Sequence, residues 1–212
     1  MTQSIAIIDY GCGNLGSVQK AVVALGYSAE LVNEPGILNT YSRAILPGVG
    51  SFRSAMQDMA DTGMTDSIRE FSGSGRPLLG ICLGMQLLAS NGTEGLTEGK
   101  DGAVQGLDLI PGRVVSLTSL GVTLSVPHVG WNSLIQKKQS ALFDSVEDGT
   151  DVYFVHSYGF CPHKPDHLIA TTEHDIEFSA VVAKDNVTGC QFHPEKSSKI
   201  GYRILQNWIL SC

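Results

Sequence analysis

Hydrophobic positions in this chain fall into short blocks whose spacing alternates between two periods. Ile5-Ala6-Ile7-Ile8, within Ser4 to Asp9, is short and continuous, which predicts a strand buried on both faces. Asn14 then precedes Leu15, Val18, Ala21, Val22 and Leu25, an apolar stripe at helical spacing with an N-cap residue in front and Gly26 behind. Ala29 to Val32 and Ala44 to Leu46 predict two more strands, with Pro47 to Phe52 as the loop after the second. Helical spacing returns over Ser51 to Met59 and Thr65 to Phe71, ending at Gly73-Ser74-Gly75. Strand alternating with helix predicts a mainly parallel sheet covered on both faces.

The next block is the one around which the rest is organised. An apolar strand ends at Gly80 and a helix-capable run begins at Gly84, so Cys82 falls in the tight turn between them. Beyond it the texture changes. Asn91 to Gly112 is rich in glycine and turn residues, and from Val114 the chain reads as short strands. These include Asp151 to Tyr158, Leu168 to Thr172, Ser179 to Ala183 and Val187 to Phe192. Ile200, Ile204, Leu205, Trp208 and Ile209 form the apolar face of a final helix. With no internal repeat and no linker-like composition, residues 1–212 read as a single domain.

Composition narrows the class by exclusion. A hydrophobic fraction of 42% and a mean hydropathy of +0.07 suit a globular protein. No apolar run approaches the ~20 residues of a membrane span, so no membrane partner is expected. Met1-Thr2-Gln3-Ser4 has neither a basic segment nor a small-residue cleavage site, and a cytoplasmic location is the expectation. The five cysteines are scattered, without a Cys-x-x-Cys pair, so neither a disulfide framework nor a zinc site is predicted. A net charge of −7 with no Lys/Arg cluster argues against nucleic acid.

Chemistry enters at Gly80-Ile81-Cys82-Leu83-Gly84, the thiol counterpart of a nucleophile elbow. Flanking glycines let such a turn fold back without a Cβ collision. The helix N-terminus favours the thiolate, and the Leu83 N–H is placed to donate to an oxyanion. A cysteine in an apolar run is also ordinary core packing, so the elbow alone does not decide. His193-Pro194-Glu195 follows the strand ending at Phe192. In an extended segment its two titratable side chains would share a face, as a base and its orienter. Taken alone it reads first as a solvated surface turn, and the pairing with a nucleophile elbow reverses that reading. Pro47-Gly48-Val49-Gly50 can turn backbone N–H groups toward an anion, or be a simple turn. A rival motif, Gly11-Cys12-Gly13-Asn14-Leu15-Gly16 with Glu34 downstream, has the glycine spacing of a dinucleotide-binding turn. It is a poor match, because Asp9-Tyr10 stands where such strands run straight into the first glycine. A non-catalytic binding module is the other rival, and the complete Cys, His and Glu set counts against it.

Taken together, Gly80 to Gln86, His193-Pro194-Glu195 and Pro47 to Gly50 resemble the class I (triad) glutamine amidotransferases. Asp9 to Asn14, Pro127-His128-Val129-Gly130-Trp131-Asn132 and Tyr153 to Tyr158 are similar to the glutaminase subunits of imidazole glycerol phosphate synthase within that family. The resemblance runs from Asp9 to Trp208. It implies a flavodoxin-like α/β domain, with a mainly parallel central sheet flanked by helices and extra antiparallel strands. It also implies catalytic residues Cys82, His193 and Glu195, with an oxyanion hole from the N–H of Leu83 and those of Val49 and Gly50. Gly48, Gln86, His156, Ser157 and Tyr158 would hold the substrate, L-glutamine, and no cofactor is implied. The implied partner is a (β/α)8-barrel cyclase subunit in a heterodimer, with Asp9 to Asn14 and Pro127 to Asn132 on the docking surface. Amidotransferases serving anthranilate, GMP or carbamoyl phosphate synthesis are the runner-up, although Met85 and His128 to Asn132 depart from them. Ser198 stands where such proteins often carry glycine, and Gly159-Phe160-Cys161 has no counterpart in the pattern.

Overall fold

Alternation of strand and helix in the first half of the chain produces one large sheet in the computed structural model, which describes residues 4–96 and 102–211. Residues 1–3, part of the glycine-rich stretch and Cys212 lie outside the described residues. The first half runs β1 (Ile5–Ile8), α1 (Leu15–Ala24), β2 (Ala29–Val32), α2 (Pro35–Leu38), β3 (Arg43–Gly48), α3 (Phe52–Thr62), α4 (Met64–Gly73), β4 (Leu78–Cys82) and α5 (Leu83–Leu87). The second half is mostly strand: β5 (Asn91–Gly92), β6 (Val104–Gln105), β7 (Gly112–Ser116), β8 (His128–Ser133), β9 (Ile135–Gln136), β10 (Asp151–His156), β11 (Tyr158–Pro162), β12 (Leu168–His174), β13 (Ile176–Lys184) and β14 (Val187–Cys190), then α6 (Ser198–Ser211).

The central sheet has the order β2-β1-β3-β4-β14-β13-β12-β9. It is parallel from β2 to β14 and antiparallel from there to β9. β1 and β4 are buried along their whole length, as continuous apolar runs in a parallel sheet require. One face packs on α3 and α4 through Phe52, Met59, Ile68 and Phe71; the other packs on α1 and α6 through Val18, Val22, Leu205 and Trp208. Two smaller sheets, β10-β8 and β11-β7-β5-β6, stand beside it.

Several boundaries differ from expectation, and those nearest the site differ for a pairing reason. β4 continues two residues beyond Gly80 and β3 continues through Gly48, because the ladder between them extends to the pair Gly48↔Cys82. Asp151 to Tyr158 is two strands, because at Ser157 the chain leaves its pairing with β8 and joins β7. β14 stops at Cys190, short of Phe192. β5 and β6 arise in the glycine-rich stretch where no strand was predicted, and two residues are too few to carry a periodic signal. Asn14 does precede α1, but its side chain makes no capping hydrogen bond.

Glycine explains how α5 can start directly after β4. A Cβ on Gly84 would lie 1.7 Å from the Leu46 carbonyl oxygen, and one on Gly80 would lie 2.6 Å from the Gly84 carbonyl oxygen. Neither glycine has a left-handed φ; that conformation falls on Cys82 itself, at φ 56° and ψ −112°. The flanking glycines therefore permit close approach of helix and strands, whereas the backbone strain sits on the cysteine. We expect Gly84→Ala to destabilise the fold by about 3 kcal/mol or more, measured by urea unfolding. Gly73→Ala, at the end of α4 with open space around it, is the control and should change stability by less than about 1 kcal/mol.

Candidate active site

Cys82 closes β4, and its thiol is 7% exposed at the carboxyl end of the parallel strands, where crevices form in open α/β sheets. Its sulfur lies 3.7 Å from the Val155 carbonyl oxygen on β10 and accepts from Gln191 Nε2 at 3.8 Å. The Leu83 N–H opens α5 directly after it. The loop Val49-Gly50 leaves the end of β3 beside this point, Gly50 at φ 102°. Gly48 is fixed from below: a Cβ there would come within 2.6 Å of the Tyr10 hydroxyl and 3.0 Å of the Gly84 nitrogen.

His193 and Glu195 come together by a route other than the one the sequence suggests. His193 is extended, but Pro194 to Lys196 forms a 3-10 turn, so the two side chains do not share the face of a strand. The turn brings them together all the same, with His193 Nδ1 at 2.8 Å from Glu195 Oε1 and both side chains almost fully buried. Ser197 holds the turn shut: its hydroxyl donates to the His193 carbonyl at 2.7 Å and accepts the Tyr153 N–H at 2.9 Å. The His193 N–H donates in turn to the Tyr153 carbonyl at 2.9 Å. Ser198 then enters α6 at φ 56°, a conformation that favours glycine.

Burial works against a charged His193, but the Cys82 sulfur and the Glu195 carboxylate outweigh it and lift the imidazole from 6.5 to about 9. The contact of Nε2 with the sulfur is looser than an ordinary hydrogen bond, so by distance and angle Nε2 has no partner while the sulfur still acts on its charge. An imidazole poised in this way can take a proton from the thiol and return it to a leaving group.

Val49, Gly50, Cys82, Leu83, Gln86, His156, Ser157, Tyr158 and His193 line one cavity of about 270 Å³, so nearly all the residues singled out from sequence converge. Glu195 and Gly48 stand behind them. The polar atoms of Gln86 and His156 are partly committed elsewhere. Gln86 Nε2 donates to the Tyr158 carbonyl at 3.1 Å and to Gln191 Oε1 at 3.0 Å. His156 Nδ1 donates to the same carbonyl at 2.8 Å, and its Nε2 lies 3.1 Å from His128 Nδ1. Burial keeps both rings neutral, pushing His156 down to about 3 and His128 to about 4.

Sequence reasoning missed three members of the site. Glu94, in the turn after β5, lines the cavity and accepts the Phe52 N–H at 2.8 Å; burial raises its carboxyl, and that hydrogen bond partly offsets the rise. No local pattern marks it. Lys196 lines the same cavity, directly after the triad carboxylate. Gln191 is fully buried against the sulfur, and its signal was legible as the one amide in the apolar run before His193. The Gly11 to Gly16 turn, by contrast, spends its first N–H on the Asp9 side chain, at 3.0 Å.

The fold and this Cys-His-Glu geometry define a triad hydrolase built on a mainly parallel sheet. The family model for glutamine amidotransferase class-I matches residues 6–212, and the chain belongs to that family. Imidazole glycerol phosphate synthase subunit HisH of Moorella thermoacetica is 47% identical over 204 residues, which span 96% of this chain and 93% of the relative. The protein of the same name from Geobacter metallireducens is 43% identical over 212 residues, 98% of each chain. Among solved structures, a glutamine amidotransferase superposes with TM-score 0.72 at 19% identity, covering 97% of this chain and 96% of that one. PurLQS from Thermotoga maritima gives 0.75 at 19% identity, covering 99% and 98%. These two likenesses establish the fold.

The raised His193 makes a prediction with a definite sign. Folded His193 holds its proton to about pH 9 and the unfolded residue only to 6.5. The site's contribution to stability is therefore fully present below pH 6.5 and is lost as pH rises through 9. Glu195→Gln removes one of the two groups that lift the ring. The His193 titration, followed by imidazole NMR, should then move down toward 6.5. A midpoint that stays near 9 would assign the rise to the sulfur alone.

Proposed function

We propose that the chain is the glutaminase subunit of an imidazole glycerol phosphate synthase, hydrolysing L-glutamine to glutamate and ammonia. The observation that carries the reading is Cys82, held at φ 56° in one cavity with a buried His193–Glu195 pair at 2.8 Å. The Cys82 thiolate attacks the side-chain amide carbon of glutamine, and the carbonyl oxygen gains the charge. N–H groups of Leu83 and of Val49 or Gly50 receive that charge. His193 gives its proton to the departing nitrogen, so that ammonia leaves and a thioester remains. A water that passes its proton to His193 then attacks the thioester, and glutamate is released with the sulfur restored. Glu195 holds the ring tautomer and stabilises the imidazolium.

The cavity fits the ends of the substrate as well as its amide. Glu94, which lines the cavity, is a carboxylate for the α-ammonium group, and Lys196, which also lines it, a cation for the α-carboxylate. Ser157 and Tyr158 shape the wall between β10 and β11, and Gln86 and His156 keep that wall in place. No step needs a cofactor. Residues 1–212 act as one glutaminase domain.

Relatives named as synthase subunits support a partner, and we assign it as a (β/α)8-barrel cyclase that receives the ammonia in a heterodimer. Val129 and Trp131 on β8 are 55% and 51% exposed, large apolar side chains on the ribbon whose other strand, β10, carries His156. Val49, in the oxyanion loop itself, is 43% exposed and within reach of a docked partner. Such a face is what an interface core requires. Among the described residues no helix is long and apolar enough to cross a membrane.

Ammonia release from glutamine by the purified chain, with and without a cyclase subunit and its nucleotide ligand, tests this reading. We expect release that the cyclase stimulates, none from Cys82→Ser, and a drop of about 10²-fold or more from His193→Ala. Fast release that no partner stimulates would move the chain to another amidotransferase branch. Absence of release under both conditions would refute the glutaminase.

A further inference from the structure

The nucleophilic sulfur touches one acceptor and one donor that the triad does not include. The acceptor is the Val155 carbonyl at 3.7 Å, which suits a thiol and opposes a thiolate. The donor is Gln191 Nε2 at 3.8 Å, on a side chain with no solvent exposure. An amide side chain can present either end, and which end faces the sulfur decides whether it favours or disfavours the charged nucleophile.

Neighbouring groups settle the choice, because each fixes the polarity of the next. The Tyr158 carbonyl can only accept, so both groups that reach it must donate: His156 Nδ1 at 2.8 Å and Gln86 Nε2 at 3.1 Å. Gln86 turned the other way would set its oxygen against that carbonyl. Its second N–H then meets Gln191 at 3.0 Å, and the atom receiving it must be Oε1. Only Nε2 of Gln191 is left for the sulfur. On the other side, neutral His156 with its proton on Nδ1 has a lone pair at Nε2, which receives the His128 Nδ1–H at 3.1 Å. Two donor chains thus meet at the Tyr158 carbonyl on β11, one from His128 through His156, and from the other, Gln86, the N–H direction runs on through Gln191 to Cys82. The links Gln86–Gln191 and Gln191–Cys82 are buried, where an inverted amide would leave unpaired dipoles.

We propose that Gln191 is a further catalytic residue, a buried donor to the nucleophilic sulfur, and that Gln86 is the positioning residue that keeps its N–H₂ end facing Cys82. A donor there offsets the Val155 carbonyl when the sulfur is charged and complements His193, which can hold only one side of it. The role rests on the glutaminase reading, but not on substrate, since every contact is made by the free protein. The ionisable groups around the sulfur are His193, Glu195, Cys190 and Tyr10; none of them lies in the Gln86–Gln191 link.

The test is alkylation of Cys82 by iodoacetamide in the full chain, read at the Cys82 peptide by mass spectrometry. Gln191→Met keeps the volume and removes the donor; it should slow alkylation about tenfold at pH 7. Gln86→Met should slow it as well, although Gln86 does not touch the sulfur. The double variant should be no slower than Gln191→Met, since the two act as one unit. Unchanged rates in folded variants, or single effects that multiply in the double, would overturn the assignment. Should Gln191→Met fail to fold, NMR of the wild-type chain decides: the Gln191 side-chain N–H₂ signals must move when Cys82 is alkylated, and signals that stay put refute the contact. A chain that alkylates as expected but releases no ammonia refutes the glutaminase and leaves the donor standing. Ammonia release with alkylation insensitive to both glutamines does the reverse.

Discussion

Cys82 can stand at φ 56° only because the first turn of α5 lies against the ends of β3 and β4 with no side chain between them. Gly84 touches the Leu46 carbonyl and Gly80 lies under the Gly84 carbonyl, so a methyl group at either position would force the helix off the sheet. That contact sets the direction of the cysteine, the position of the Leu83 N–H and, through Gly48, the height of the Val49-Gly50 loop. A left-handed cysteine is an unfavourable conformer by itself. The parallel ladder on one side and the helix on the other over-determine it, and in this way a fold holds strain at a reactive residue.

The second half of the triad is positioned by a different device. His193 lies just past the strand that pairs with β4, so the sheet register brings it beside the cysteine. Its orientation comes from the 3-10 turn, which Ser197 ties to Tyr153 and which Gly201 of α6 packs against so closely that a Cβ would sit 2.0 Å from the Pro194 carbonyl. Nucleophile and base are thus delivered by adjacent parallel strands, and each is locked by a helix that a glycine allows to come close. The carboxylate needs no separate element, because the turn that aims the imidazole carries it.

Around this pair the cavity wall is polar in a fixed sense. The Tyr158 carbonyl gathers donors from His156 and Gln86, and the surplus N–H is passed on through Gln191 to the sulfur. The same β8–β10 ribbon that feeds this network carries Val129 and Trp131 on its outer side. The buried histidines and the exposed apolar side chains therefore lie on opposite faces of one small ribbon.

Much of this was legible in the residues. Continuous apolar runs at β1 and β4, the stripe of α1 and the face of α6 follow from period alone, since burial in a parallel sheet or on a helix flank dictates them. The elbow, the His-Pro-Glu segment and the Pro-Gly-Val-Gly loop could be named from chemistry that needs those residue types. Other features depended on contacts between distant segments. Strand ends at Gly48 and Cys82 are set by a neighbour's ladder, and the split at Ser157 by a change of partner strand. That a Cβ at Gly80 or Gly84 would collide was legible, but not that Gly84 would meet the Leu46 carbonyl, because that contact is with a strand distant in sequence. Glu94 lacks any local signature and enters the site only when the turn after β5 folds over α3. The direction of the Gln191 amide is still less local: it is decided by a carbonyl 33 residues earlier in the chain, through a side chain from α5. Sequence by itself determined which chemical groups were available and which elements carried them; the tertiary structure decided how they face one another, because hydrogen-bond polarity and close packing are properties of pairs brought together by folding.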